Sequence, residues 1–290
     1  MTITIKPIDT VEACEQFQEL ERCVWSSEDV DLMPVHVLIT VAHNGGVLLG
    51  AYAEDGPAEL SGLVGAALGW LGAGVDQADT RPQLKLCSHM AGVLPEWQGK
   101  GVGLRLKLAQ RDAMLTQGLT NWMTWTYDPL YRANGVFNIH RLGATCHTYF
   151  RNRYGTMTDA LNAGAPSDRC QVDWWVQSEA VVNILNSAGM AERVTKGAWH
   201  VLPTAPMGDF RQPIEQTLPL DGTPLAVPIP DDIAAIRRVD SELGLAWRFY
   251  LRDVLESAFS GGYSMVDCVD LPEQGWHYIL TEQSQPSAKA

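Results

Sequence analysis

Three glycines at alternate positions, Gly99, Gly101 and Gly103, stand in the run Gln98-Gly99-Lys100-Gly101-Val102-Gly103-Leu104. A periodic segment follows and stops at Gly118, so the glycines fall at the start of a helix. A helix start leaves backbone N–H groups unpaired and carries partial positive charge, which suits a phosphate. Glycine lets the backbone approach the oxygens and adopt positive φ. Lys100, Arg105, Lys107 and Arg111 against Asp112 make the segment basic inside a chain of formal charge −13. A local excess of that kind calls for an anionic ligand. The dinucleotide pattern G-x-G-x-x-G fails because Leu104 holds its third glycine position. The G-x-x-x-x-G-K-[ST] loop fails too, with Leu94 at its first glycine and Gly101 after Lys100.

A second group lies just upstream. Residues 84–95 read as a buried strand ending at Pro95, and side chains two apart on a strand share a face. Cys87, His89 and Ala91 then point together, away from Ser88 and Met90. An imidazole with a pKa near ~6.5 suits proton removal at neutral pH. The plainer alternative for His89 is a hydrogen-bonded core histidine. Cys87 admits an acyl-cysteine route, against the commoner inert buried thiol. His36/His43 and His140/His147 repeat at seven-residue spacing, which on a helix separates them by roughly 10 Å along the axis. They cannot share one ion, so no metal is expected.

The elements that position these residues are a strand, the glycine turn, a helix to Gly118 and a second strand at residues 122–127, a parallel β-α-β unit. Before it come a strand at 2–8, a helix from Val11 to Trp25 capped by Asp9 or Thr10, and a helix from Val35 to His43. A hairpin follows, its two apolar runs parted by Asp55-Gly56-Pro57. Residues 72–82, polar and glycine-rich, read as a surface loop. After Pro129 the pattern gives a helix interrupted near Asn134-Gly135 and stopped at Gly143, then two further strands. From residue 179 on, a short helix, a proline-rich stretch and a β-α-β-β pattern are expected. The helical part of that pattern, residues 231–260, should break near Gly244, and residues 284–290 should lack structure. Arg248 and Arg252 sit four apart on one helical face, placed to clamp a carboxylate or to pair with acids.

The run Gln98-Gly99-Lys100-Gly101-Val102-Gly103 after a V-x-P strand end resembles the Q-x-x-G-x-G loop of the GNAT N-acetyltransferase superfamily. The order of elements over about the first 175 residues is similar as well. The resemblance implies an α/β fold of α+β mixed-sheet type, a GNAT acyl-CoA N-acyltransferase domain over 1–178, and an added C-terminal extension over 179–290 packing on it. It implies that the loop from Gln98 to Leu104 cradles the pyrophosphate of acetyl-CoA or another acyl-CoA, acetyl and succinyl both being open. It points to the Val93 backbone N–H as oxyanion donor and to Asp128, where a strand splays from its neighbour, as an acceptor-site residue. Asp128 has an equal alternative as a helix-capping carboxylate. Some family members place a basic carboxylate where this chain has Cys87, so His89 becomes the candidate base. The usual acid, a tyrosine, falls at Ile139, and neighbouring His140, Tyr149 and Tyr154 are not secured by the pattern. The acceptor implied is the amine of a small molecule, an amino acid among the choices. A protein or peptide amine is the alternative, and a non-catalytic CoA-binding module the other.

Bulk properties agree. Six cysteines without C-x-x-C spacing suit reduced thiols in a cytoplasm. An acidic balance of 34 against 21 charged residues argues against a nucleic-acid surface. No apolar stretch reaches membrane-spanning length. A homodimer is one of the assembly states left open.

Overall fold

The computed structural model describes residues 2–25, 31–76, 79–155, 166–186 and 199–282. The expectation for residues 284–290 lies outside them. The chain divides into two compact units, Met1–Trp125 and Thr126–Ala290.

The first unit runs β1 (Ile3–Pro7), α1 (Val11–Trp25), α2 (Val35–His43), β2 (Val47–Ala53), β3 (Leu63–Asp76), β4 (Asp79–Val93), α3 (Val102–Gln117) and the start of β5 (Trp122–Tyr127). Its strands lie in the order β1-β2-β3-β4-β5. Neighbours are antiparallel as far as β4, and β5 is parallel to β4. This is the expected order of elements. Thr10 provides the α1 cap, its Oγ1 accepting from Ala13 N at 3.2 Å. Cys14, Phe17 and Leu20 form the buried stripe of that helix. Gly118 ends α3 in the left-handed region at φ 67°, its N–H donating to Met114 O at 3.2 Å.

One expectation is corrected here. Residues 72–82 are mostly strand, because β3 and β4 continue their ladder outward through Gly72↔Lys85, Ala73↔Leu84, Gly74↔Gln83 and Asp76↔Asp79. The glycines disguised it, since they carry no side chains to alternate. The backbone ladder needs none, and Gly72 is kept small by Cys87, whose Sγ would lie 2.9 Å from an added Cβ.

The second unit holds α4 (Arg132–Gly135), which widens into a π-helical turn over Val136–Arg141, then β6 (Thr145–Phe150), β7 (Arg169–Trp175) and α5 (Glu179–Asn186). There follow β8 (His200–Val201), β9 (Thr204–Met207), β10 (Phe210–Pro213), β11 (Leu225–Pro228), α6 (Ile233–Val239), α7 (Ser241–Ser260), β12 (Tyr263–Leu271) and β13 (Gly275–Glu282). Six of these strands lie in the order β7-β6-β12-β13-β11-β8, while β9 and β10 form a separate hairpin. Met265 of β12 pairs with Cys146 of β6, so the C-terminal strands continue the β6–β7 pair. The boundary drawn from sequence at 178/179 therefore falls inside this unit. Gly135 is required where the late helix is interrupted, because a Cβ there would meet Tyr278 Oη at 2.5 Å. The break in the long helix is at Asp240, not Gly244. Asp240 accepts from Leu243 N at 2.9 Å and caps α7. Gly244 lies within α7 and gives room to Arg237, whose Cγ an added Cβ would approach to 2.7 Å.

Candidate functional site

β4 hands over to the glycine run through a 3₁₀ turn at Pro95–Trp97. Gly99 and Gly101 both take positive φ, 72° and 80°, and an added Cβ at either would meet nothing within 4 Å. They are therefore needed for backbone conformation, and the space beside them is open. Gly101 precedes α3 without any side-chain cap, and the first turn carries no acid. The N–H groups of Val102, Gly103 and Leu104 belong to that first turn, which has no intrahelical acceptors for them. Lys100 and Arg105 are exposed beside the turn. Lys100 Nζ lies 4.9 Å from the Trp97 ring centre. The residues present fit the diphosphate of an acyl-CoA: open space, uncapped donors and two cations.

Gln98 has a different task. Its Nε2 donates to Val93 O at 3.1 Å and ties the loop back to the end of β4. Leu94 N donates to Val64 O at 3.0 Å in the β3–β4 ladder. Because ladder bonds alternate in antiparallel pairs, the N–H and C=O of Val93 face away from β3. On that edge β5 joins β4 only through Leu86↔Met123 and Cys87↔Thr124. Val93 thus presents its N–H at an edge of β4 where the pairing has ended.

The side-chain parity expected for β4 is corrected by a bulge. Leu68 pairs with Met90 and Gly69 with Ser88, leaving His89 as the extra residue. Cys87 and His89 still share a face: Trp70, the partner of Cys87, lies 4.7 Å from the His89 ring, centre to centre. Beyond the bulge the alternation is inverted. Ser88 bonds to α3, and Val93, five residues later, sits opposite Gly65, whose added Cβ would lie 3.2 Å from Val102 Cγ1 of α3. Ala91 goes with Val93 and not with His89. His89 is exposed, yet the protein packed against its inner side disfavours the charged imidazole and holds its pKa below the usual 6.5.

Sequence reasoning counted Lys107 in the basic cluster of the loop and helix. It is buried, 3% exposed, and its Nζ donates to Ser88 Oγ at 2.6 Å while lying 3.8 Å from the Trp125 ring centre. Ser88 Oγ in turn donates to Gln110 Oε1 at 2.9 Å. Desolvation lowers the Lys107 pKa to about 7. The signal available in the sequence was spacing: Lys107 adjoins the buried Leu106, Gln110 and Met114 row of α3. Lys107→Met should raise stability by about 1–4 kcal/mol, since a buried charge without a counter-charge is costly. The sign with pH follows from the lowered pKa. The cost is full below pH 7 and fades as pH rises towards the ordinary lysine value of 10.5, because the unfolded chain then loses its proton too. Denaturant midpoints of both proteins at neutral and alkaline pH check this, and an unchanged or lowered neutral midpoint counts against it.

In the second unit Asp128 is 5% exposed. Its Oδ1 accepts from Leu130 N at 2.9 Å, its Oδ2 accepts from Arg248, and Arg169 lies 3.9 Å away. Arg252 pairs with Asp168 at 2.8 Å, so the two arginines of α7 are acid-paired. Ile139 is fully buried and offers no proton. Tyr149 donates to Asp168 at 2.8 Å, and Tyr154 shares a 2.7 Å bond with Thr126. His140 and His147 have separate partners, Asp267 at 2.8 Å and Asp173 at 3.6 Å. Among the described residues no group of three or more His, Cys, Asp or Glu could hold a metal. No helix among them is long and apolar enough to cross a membrane.

No family model matches the chain, and no curated protein does. Similar solved structures include NAA60 of Arabidopsis thaliana in complex with acetyl-CoA, at 13% identity and TM-score 0.47, covering 61% of this chain and all of that one. The ribosomal-protein-S18-alanine N-acetyltransferase of Escherichia coli matches at 12% identity and TM-score 0.44, over 67% of this chain and 99% of that one. An aminoglycoside acetyltransferase from an uncultured soil metagenomic sample matches at 15% and 0.36, over 47% and 83%.

Proposed function

We propose that this chain is an acyl-CoA N-acyltransferase of GNAT type that acts on the amine of a small molecule, amino acids among them. The observation that carries the reading is the uncapped start of α3 behind Gly99 and Gly101, set directly after a β4 edge on which pairing to β5 has ended. An acyl-CoA supplies an activated thioester there, and Val93, Gln98, Gly99, Lys100, Gly101, Val102, Gly103 and Leu104 are the residues that would hold it. The open space beside Gly99 and Gly101 supports the diphosphate position. The outward N–H of Val93 supports its role as oxyanion donor, at a strand end that the bond from Gln98 to the Val93 carbonyl ties to the loop.

His89 takes the proton of the attacking amine. A pKa held below 6.5 keeps it neutral at physiological pH, which is the form a base needs. No tyrosine stands at the Ile139 position, so the sulfur leaves as a thiolate without a dedicated acid. Asp128 is the residue proposed for the acceptor side. Six free thiols fit a reducing cytoplasm.

His89→Gln should lower kcat by roughly 10²-fold and leave CoA affinity unchanged. The wild-type rate should fall as pH drops through the lowered histidine pKa, and that acidic limb should flatten in the variant. A stable His89→Gln enzyme with wild-type kcat and pH profile removes His89 from the chemistry.

A further inference from the structure

Ser88, Lys107 and Gln110, buried beside the half-buried Trp125, form a group rich in donors and poor in acceptors. Lys107 spends one N–H on Ser88 and pairs with no carboxylate among the described residues. Gln110 is fully buried, and its Nε2 has no hydrogen-bond partner. The electron-rich face of Trp125 lies against the ammonium, its ring centre 3.8 Å from Nζ. An ammonium and an unpaired amide, both out of water, are costly unless an anion joins them.

Their place in the fold says which anion. Cys87 and Thr124 make the last pair between β4 and β5. Ser88 and Trp125 are the next residue on each strand, and Lys107 touches both. His89 and the Val93 edge follow on β4. The Lys107 group thus lies where β4 and β5 part, at the inner end of the β4 edge that carries His89 and Val93.

We infer that Lys107 and Gln110 receive the terminal carboxylate of a dicarboxylic acyl group, so that the donor is an ω-carboxyacyl-CoA such as succinyl-CoA. This rests on the acyltransferase reading above. A neutral acyl chain would bury its end against an ammonium and an amide and satisfy neither. A terminal carboxylate accepts from both and supplies the missing counter-charge. Specificity then arises as a difference: the neutral chain leaves polar groups unpaired, and the acidic chain pairs them.

The test is calorimetric titration of the full chain with CoA, succinyl-CoA and butyryl-CoA, the last matching succinyl in length without its charge. Wild-type protein should bind succinyl-CoA at least about tenfold more tightly than butyryl-CoA. Lys107→Met should reverse that order and bind CoA itself as wild type does. Equal binding of the two acyl-CoAs by wild type, with CoA still bound, overturns the inference and leaves the acyltransferase reading standing. A succinyl preference that survives in Lys107→Met overturns the role of Lys107. Failure of wild type to bind CoA at all removes the underlying reading, and the inference with it. The wild-type comparison decides the matter even if the variant does not fold.

Discussion

Gly101→Glu is expected to abolish CoA binding while leaving the chain folded. Gly101 sits at φ 80° and ψ 5°, so any side chain there costs roughly 1–2 kcal/mol of backbone strain. An added Cβ would meet nothing within 4 Å, so no clash adds to it. The glutamate carboxylate would lie against the uncapped N–H groups of α3, the position required by the diphosphate. Like charges about 4 Å apart near a protein surface repel by roughly 4 kcal/mol, which is about 10³-fold in affinity. Gly101→Ala separates strain from charge. It carries the same φ penalty without the carboxylate and should keep affinity within about tenfold. Calorimetry on both variants decides. Near-normal CoA affinity in a folded Gly101→Glu protein would place the diphosphate elsewhere.

Asp128→Ala should cost about 3–5 kcal/mol of stability, because it strands a buried cation. Arg248 is 1% exposed, and its Nε and Nη1 already lack hydrogen-bond partners, so Asp128 is its main compensation. Arg169, 3.9 Å from the same carboxylate, would add repulsion once the charge is gone. Asp128→Asn keeps the oxygen that accepts from Leu130 N and should lose less. The pair Asp128→Leu with Arg248→Met removes both charges together and should regain much of the loss, which additive single effects would not give. Urea midpoints of wild type, Asp128→Leu, Arg248→Met and the pair measure the coupling. An Asp128→Ala midpoint equal to wild type would mean that Arg248 finds another acceptor.

The first-unit fold was readable because its strongest signals are local. Gly118 stops a periodic segment, Pro95 stops a strand, and the Asp55-Gly56-Pro57 break marks a hairpin. What escaped depends on partners distant in sequence. The bulge at His89 exists only relative to Leu68 and Gly69 on β3, so parity counted along β4 alone put Ala91 on the wrong face. The outward extension of β3 and β4 is carried by backbone bonds, which glycine-rich residues hide from any pattern of side chains. Lys107 was counted with the basic cluster by residue type, although its spacing sets it beside the buried row of α3. The break at Asp240 was masked by Gly244, the stronger helix breaker by type. Capping by Asp240 set the boundary, and the glycine answered a packing demand from Arg237. For Asp128 the bond from Leu130 N closes a turn ahead of α4, whose N-cap is Tyr131 with no side-chain cap, and its arginine partners lie too far along the chain to be read from spacing.

The most direct measurement is amine-dependent release of free CoA thiol, with the product identified by mass spectrometry. Wild-type protein is incubated with acetyl-CoA or succinyl-CoA and a panel of amines that includes amino acids and a basic peptide. Thiol release should rise above background only with an accepted amine, and the product should be that amine plus one acyl group. Gly101→Glu should release none. A chain that binds CoA but acylates no amine in the panel, from either donor, would contradict the reading and leave a CoA-binding module in its place.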